Sequence, residues 1–258
     1  MDKKEIKEYW EKYPAGVWYS NKQEGSKVFF DEIENYRFNQ QYRYLPQLME
    51  FNRHRNENVL EVGCGIGSDL IRFARNGANV TGIDLTERAI TLARKRFSIY
   101  NLQAKLMIED AENLPFRDES FDLVYSFGVL HHTPNIQKAI DEIYRVLKKG
   151  KKAIIMLYHK SYDYYFHLFL KYGILKGELL RMNMQQIANK HTEHVGNSPL
   201  TAMFSKRQAK QLFTNFSKIE LYVRFLHKAG LLYRITTPWI LDKLSRFIGY
   251  HLIIKARK

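Results

Sequence analysis

Cysteine is almost missing from this chain of 258 residues. There is one, Cys64, which excludes an intrachain disulfide framework and any zinc or iron–sulfur site built on several thiolates. No run of 18 or more apolar residues occurs, so no stretch reads as a membrane-spanning helix. The opening MDKKEIKEYWEKYP is charged where a secretory signal would be apolar. These gaps lead to the expectation of a soluble, cytoplasmic protein in a reducing compartment. Acidic residues are scarce in one part of the chain only. Residues 1–158 hold 24 basic and 22 acidic side chains, residues 159–258 hold 17 and 5, and the net charge is +14. A basic segment of this kind attracts anions such as nucleic acid, an anionic membrane surface or a phosphorylated substrate, unless it is a plain solvated face.

What is present is an alternation. Asn58–Val62 reads as a strand, followed by GCGIGSD and a helical pattern closed at Gly77. Val80–Ile83, Leu106–Ile108, Phe121–Ser126 and Lys152–Leu157 read as four more strands. Thr86 opens one intervening helix. Another follows Pro134, with Ile136, Ile140, Ile143 and Leu147 on one face and Gly150 at its end. Strands alternating with helices predict an α/β chain with a mainly parallel sheet and ligands beyond the carboxyl ends of its strands.

The polar signals fall at those ends. Gly63, Gly65 and Gly67 form a G-x-G-x-G loop after the first strand, and Ser68 stands where a dinucleotide fingerprint wants its last glycine. Glu61 lies two residues before the loop. A carboxylate there repels a pyrophosphate and suits a ligand with a positive charge. Asp84 ends the second strand and suits ribose hydroxyls. Asp110 follows the third and can accept from an adenine amine. An adenosine with a cationic tail and no phosphate is S-adenosylmethionine.

VLEVGCGIGSD, GIDLTERAITLAR, IEDAENLPFRDESFDLVYSFGVLHH and EIYRVLKKGKKAIIMLYH together resemble the class I S-adenosylmethionine-dependent methyltransferases, continuously over residues 56–160. The subgroup resembled is the small-molecule, ubiquinone/menaquinone-methyltransferase-like one. The resemblance implies a Rossmann-like, doubly wound sheet of seven strands with an antiparallel C-terminal strand, an N-terminal helical lid and helical insertions in the C-terminal half. It implies that Glu61 and the Gly63–Gly67 loop hold the methionine end, Asp84 the ribose with Leu85 beside the adenine, and Asp110 and Ala111 the adenine with Glu112 nearby. Ser126 and Phe127 would line the reacting side, and His131 or His132 would sit near the methyl group, as candidate bases or as residues that orient the next helix.

The flanks match in layout alone. Residues 1–50 are expected to form the aromatic, helical lid and residues 51–258 the methyltransferase domain, with its core at 56–160, a substrate-side helical insertion at 159–204 and a helix–strand–helix–strand finish at 205–258. Candidate substrate contacts are Trp18, Tyr19, Tyr158, His191 and His194. The last two belong to HTEH, whose spacing is thin evidence for a metal, and none is assigned; a pocket-lining loop and an ordinary surface are the other readings. Residues 228–250 mix Lys and Arg with Trp, Leu and Ile as interfacial helices do. The reading is therefore methyl transfer to a small, apolar or aromatic metabolite, with contact to an anionic membrane surface through the basic part. An RNA or tRNA methyltransferase is the alternative, weakened by SFGVLHH where amino-methylating nucleic-acid enzymes carry an N/D-P-P-Y/F sequence; a non-catalytic cofactor-binding subunit is the second. Nothing in the sequence sets an oligomeric state.

Overall fold

Short apolar runs between glycine-rich and polar turns become strands in the computed structural model, which describes residues 2–227 and 238–258. The strands are β1 (Asn58–Val62), β2 (Asn79–Asp84), β3 (Lys105–Ile108), β4 (Phe121–Phe127), β5 (Leu147–Tyr158), β6 (Lys218–Arg224) and β7 (His251–Arg257). They lie in the order β3-β2-β1-β4-β5-β7-β6. The first five pair in parallel, and β7 runs antiparallel to both β5 and β6. This is the expected doubly wound sheet of seven strands with one reversed C-terminal strand. The helices are α1 (Lys3–Lys12), α2 (Lys27–Asn35), α3 (Leu45–Leu48), α4 (Leu70–Arg75), α5 (Glu87–Ile99), α6 (Ile136–Val146), α7 (Tyr164–Leu168), α8 (Met184–His191), α9 (Lys206–Leu212) and α10 (Pro238–Ile248).

Strand alternation decides which residues face which layer. Leu60, Val62 and Val124 pack under α6 and α9, whereas Val59, Leu123 and Tyr125 pack under α4 and α5. Glu61 shares the second face with Val59 and Tyr125. One charged side chain is thereby turned into an apolar layer.

Three boundaries differ from the sequence reading. Helix α6 stops at Val146, because Leu147 is already extended and paired with Phe121; Gly150, at φ +72°, makes a left-handed step inside β5 and does not end the helix. The helical lid expected over residues 1–50 is interrupted: after α2 comes a wide π-turn at Tyr36–Gln41, then α3. A second π-turn, Phe169–Leu175, extends α7. Both wide turns carry residues of the cavity described below, as such turns commonly do. The interfacial stretch read at 228–250 lies partly outside the described residues; within them α10 starts at Pro238, a position that tolerates the missing N–H.

The N-terminal segment is clasped to this sheet by a buried ion cluster. Arg96, on α5, is fully buried and donates to Glu34 Oε2 at 3.0 Å and to Ser68 Oγ at 2.8 Å. Arg72 and Arg75 of α4 reach the other oxygen of Glu34 at 3.1 and 2.5 Å. Removing one partner of such a pair leaves a guanidinium buried without its counter-charge. Glu34→Ala is therefore expected to lower unfolding stability by about 3 kcal/mol, read as a shift of the urea midpoint at constant slope; an unchanged midpoint would show that water takes over the role of Glu34.

Candidate active site

The loop after β1 is shaped by its glycines. Gly63 sits at φ +74°, and a Cβ there would lie 2.3 Å from Val129 Cγ2, so the backbone must pass close under the turn that follows β4. The Gly63 and Cys64 amides donate to the Ile83 carbonyl, each at 2.8 Å. The Gly65 amide donates to Asp84 Oδ2 at 2.9 Å, while Asp84 Oδ1 accepts from the Thr86 amide and hydroxyl at 3.0 and 2.7 Å. Asp84 thus fixes the loop, and burial still raises its pKa above the usual aspartate value. Gly67 turns away and packs against Phe97 of α5. Cys64 is buried packing, its thiol pushed up by desolvation.

Beyond the carboxyl ends of β1 to β4 opens a cavity of about 770 Å³ that runs from this loop to the helical insertion. Helix α1 lies across it. Lys3 bridges Asp110 and Glu112 at 2.5 and 2.8 Å, and Glu11 accepts from the Glu87 and Arg88 amides at the start of α5, each at 2.9 Å. The Tyr9 hydroxyl donates to the Gly196 carbonyl at 3.1 Å, and Trp10 stands edge-on to His132 with ring centres 4.9 Å apart.

Deeper in, the carboxyl of Glu61 is 3% exposed and its Oε2 has no hydrogen-bond partner among the described residues. Desolvation, with Asp69 nearby, raises its pKa well above the usual range. Asp69 is held in a two-point contact by Arg37 at 2.6 and 2.7 Å and accepts from the Tyr125 hydroxyl at 2.6 Å. Arg37 comes from the first π-turn, 32 residues before Asp69 in the chain, and no local pattern announced the pair.

The far end of the cavity is walled by rings. Trp18, Tyr19, Tyr158, His191 and His194, singled out separately in the sequence, all line it. Trp18 stacks on His194 at 4.9 Å, His191 stacks on Tyr172 at 3.7 Å and bonds Glu178, and Tyr158 lies between His131 and Tyr250 at 3.8 and 4.5 Å. Tyr42, Tyr164, Tyr250 and His251 complete the wall without having been foreseen. Their signal was absent because they arrive from three distant places in the chain: the end of the first π-turn, α7 and the start of β7. Glu193, noticed at first as a neighbour of two histidines, also reaches the cavity. Its carboxyl lies 3.6 Å from His132 Nε2, and burial raises it to about 7.

Of the expected cofactor residues, Glu61, Gly63, Gly65, Asp84, Leu85, Asp110, Ala111 and Phe127 line the cavity. Gly67, Glu112 and Ser126 do not. Ser126 faces the opposite side of β4 and donates to the Val62 carbonyl at 2.8 Å. Glu112 takes the Asn135 amide, at the start of α6, and Lys3. His131 and His132 also diverge. His131 is fully buried behind the wall, with both ring nitrogens unpartnered among the described residues, whereas His132 lines the cavity and bonds the Leu200 carbonyl through Nδ1 at 2.5 Å. Burial lowers His132 to about 4 and His131 well below the usual value, so both rings are neutral and weak bases.

Residues 60–155 match a family model described as a methyltransferase domain. The sterol 4-C-methyltransferase of Caenorhabditis elegans is 33% identical over 111 residues, 42% of this chain and 33% of that protein. The demethylmenaquinone methyltransferase of Tropheryma whipplei is 35% identical over 120 residues, 45% of this chain and 49% of that one. The chain thus spans between a third and a half of the length of these two relatives. Magnesium protoporphyrin IX methyltransferase from Synechocystis PCC 6803, solved with bound SAH, shares the fold with a TM-score of 0.61 over 100% of both chains, at 17% identity. Residues 60–155 thus match a methyltransferase domain, and the fold is one shared with solved methyltransferases.

The cofactor of such a domain is S-adenosylmethionine, and the residues fit it. The loop leaves open space at Gly65, where a Cβ would meet nothing within 4 Å, and the unpartnered, buried oxygen of Glu61 suits an ammonium. Asp84 accepts three hydrogen bonds and keeps one lone-pair site, on Oδ2, for a hydroxyl. A carboxyl that holds a proton when buried alone gives it up when a cation arrives. Affinity for S-adenosylhomocysteine, which keeps the ammonium, is therefore expected to rise with pH between the two Glu61 values, with proton release seen by calorimetry in buffers of different ionisation enthalpy. Glu61→Gln should remove that slope and weaken binding by roughly 1–3 kcal/mol. A wild-type affinity independent of pH would place the ammonium elsewhere.

Proposed function

We propose that the chain transfers a methyl group from S-adenosylmethionine to a small molecule with an apolar body, bound at the ring-walled end of the cavity. The observation that carries this reading is the continuity of one cavity from Glu61 and Asp84 to Tyr158, Tyr250 and Glu193. Bound there, S-adenosylmethionine supplies a methyl group on a sulfonium, whose carbon–sulfur electron pair stays on sulfur when the acceptor attacks. Alignment of the acceptor is then the protein's main contribution, worth roughly 7–11 kcal/mol in well-oriented systems.

The chain's own residues divide the work. Glu61 and the glycine loop hold the methionine end, Asp84 the sugar, and Asp110 with Ala111 the base. Helix α1 is the lid: Lys3, Tyr9 and Glu11 pin it over the cavity and exclude water. The relatives' names, a sterol and a demethylmenaquinone methyltransferase, are in keeping with an apolar acceptor. An RNA acceptor is disfavoured by the chamber's acidic lining, which would repel a phosphate backbone. Incubation with methyl-labelled cofactor and a fractionated metabolite extract tests the reading. Label is expected in one low-molecular-weight, organic-extractable species; label in bulk tRNA, or none in any fraction, would overturn it.

The apolar acceptor also suggests how it arrives. Phe166, Leu170 and Ile174, four residues apart on α7 and its π-turn, are 55%, 41% and 52% exposed, with Lys171 and Lys176 beside them. The same segment turns Tyr164, His167 and Tyr172 into the cavity. Apolar tips between lysines suit the surface of an anionic bilayer. No helix among the described residues is long and apolar enough to cross one. The protein is expected to co-sediment with phosphatidylglycerol vesicles at low salt and much less with phosphatidylcholine vesicles, and a Phe166→Ser/Leu170→Ser variant should lose most of the binding. Failure of the wild type to sediment at low salt would remove the membrane from the proposal and leave the chemistry intact.

A further inference from the structure

A basic protein has formed an acidic cavity. The chain's net charge is +14. Yet the described residues lining the cavity include Glu61, Asp69, Asp84, Glu109, Asp110 and Glu193 against a single guanidinium, that of Arg37. Asp69 is paired with Arg37. Glu61, Asp84 and the end of β3 belong to the cofactor under the reading above. Glu193 belongs to none of these. It lies at the ring-walled end with its side chain 9% exposed, and its Oε1 has no hydrogen-bond partner among the described residues.

The groups that face Glu193 come from every side, and none is a cation. They are His132 after β4, Tyr158 at the end of β5, Tyr9 on α1, Tyr164 on α7, Tyr42 after the first π-turn and Tyr250 before β7. Burial keeps the histidine neutral and the phenols protonated. A carboxyl buried among such neighbours is half of an ion pair. Aromatic faces and a carboxylate together select an ammonium. Arg37, the one arginine or lysine among the described lining residues, is already paired with Asp69.

We propose that the acceptor is an amine on an apolar body, that it enters protonated, and that Glu193 both anchors its ammonium and takes its proton. The ammonium N–H bond breaks, its electron pair stays on nitrogen, and the proton forms an O–H bond on the Glu193 carboxylate. The neutral amine so formed is the nucleophile that the donor methyl group requires. The Tyr158 hydroxyl donates a hydrogen bond to the Glu193 carboxyl, and His132, a weaker base, stands 3.6 Å from Oε1.

This rests on the methyltransferase reading, and the test separates the two. The probes are a series of primary amines from ethylamine to tryptamine, each beside its uncharged alcohol isostere, with 2-phenylethylamine and 2-phenylethanol as the central pair. Affinity for the protein saturated with S-adenosylhomocysteine is read by quenching of tryptophan fluorescence. At least one amine is expected to bind tenfold or more tightly than its alcohol. Glu193→Gln should abolish that preference while keeping the melting temperature and S-adenosylhomocysteine affinity of the wild type, and Glu193→Asp should keep part of it. Alcohols binding as well as amines, no amine binding at all, or a preference that survives Glu193→Gln would overturn the proposal. Failure of the wild type to bind S-adenosylhomocysteine would instead overturn the reading beneath it.

Discussion

The site depends on a carboxyl buried at the end of β1. Strand alternation turns Glu61 into the apolar layer shared by Val59 and Tyr125, where an ionised group without a partner costs several kcal/mol. The fold does not relieve that cost internally. Arg37, the nearest cation, is held two-pointed by Asp69, and Asp69 is held again by Tyr125. The arrangement stores an unmet demand for positive charge at the one place where a glycine loop lets a ligand's backbone-sized end approach. On the proposed reading a cationic cofactor would satisfy both the loop and the carboxyl, and the excess lysines and arginines leave the cavity's sign unchanged because, among the described residues, Arg37 alone of them lines it.

The N-terminal segment closes that cavity through contacts of two kinds. Glu34 pairs with the fully buried Arg96 of α5, and Arg37 with the buried Asp69 before α4, so α2 and its π-turn are part of the wall. Helix α1 is held differently. Its anchors are Lys3, 37% exposed, and the carboxylate of Glu11 on two amides at the start of α5. Partly solvated polar contacts of this sort open at a small fraction of the global unfolding free energy. Of the two parts of the segment, α1 is thus the more weakly held.

The fold, and the meeting of the strand-end residues in one cavity, were legible because their signals are local. A strand followed by GCGIGSD, and an acid at each of the next two strand ends, bring together residues whose spacing in the chain sets their spacing in the sheet. The ring-walled end was legible only in parts. Trp18, Tyr158 and His194 could be singled out by type, yet nothing in the sequence said that they meet. Arg37–Asp69 and His132–Glu193 are long-range pairs, and such pairs leave no periodicity. Ser126 and His131 were chosen by their place in the motif, and each is turned from the cavity by a single step of backbone: Ser126 by the two-residue alternation of β4, His131 by one residue of a tight turn.

Depth of burial also decides what chemistry Glu193 can perform. An ordinary carboxylate, near 4.5, would pair with an ammonium near 10.4 and leave it protonated, since moving the proton across that gap costs roughly 8 kcal/mol. Burial brings Glu193 to about 7, which closes roughly 3 kcal/mol of the gap. The same apolar walls act on the other partner in the opposite sense, because desolvation lowers the pKa of a buried ammonium as surely as it raises that of a buried carboxyl. The rings around Glu193 thus bring acid and base toward one another from both sides. His132, drawn down to about 4, is moved further from any such match. A wall of tyrosines is more than a shape for an apolar body: it makes a carboxylate a usable base for an amine, whereas an additional lysine in the same wall would cancel the effect.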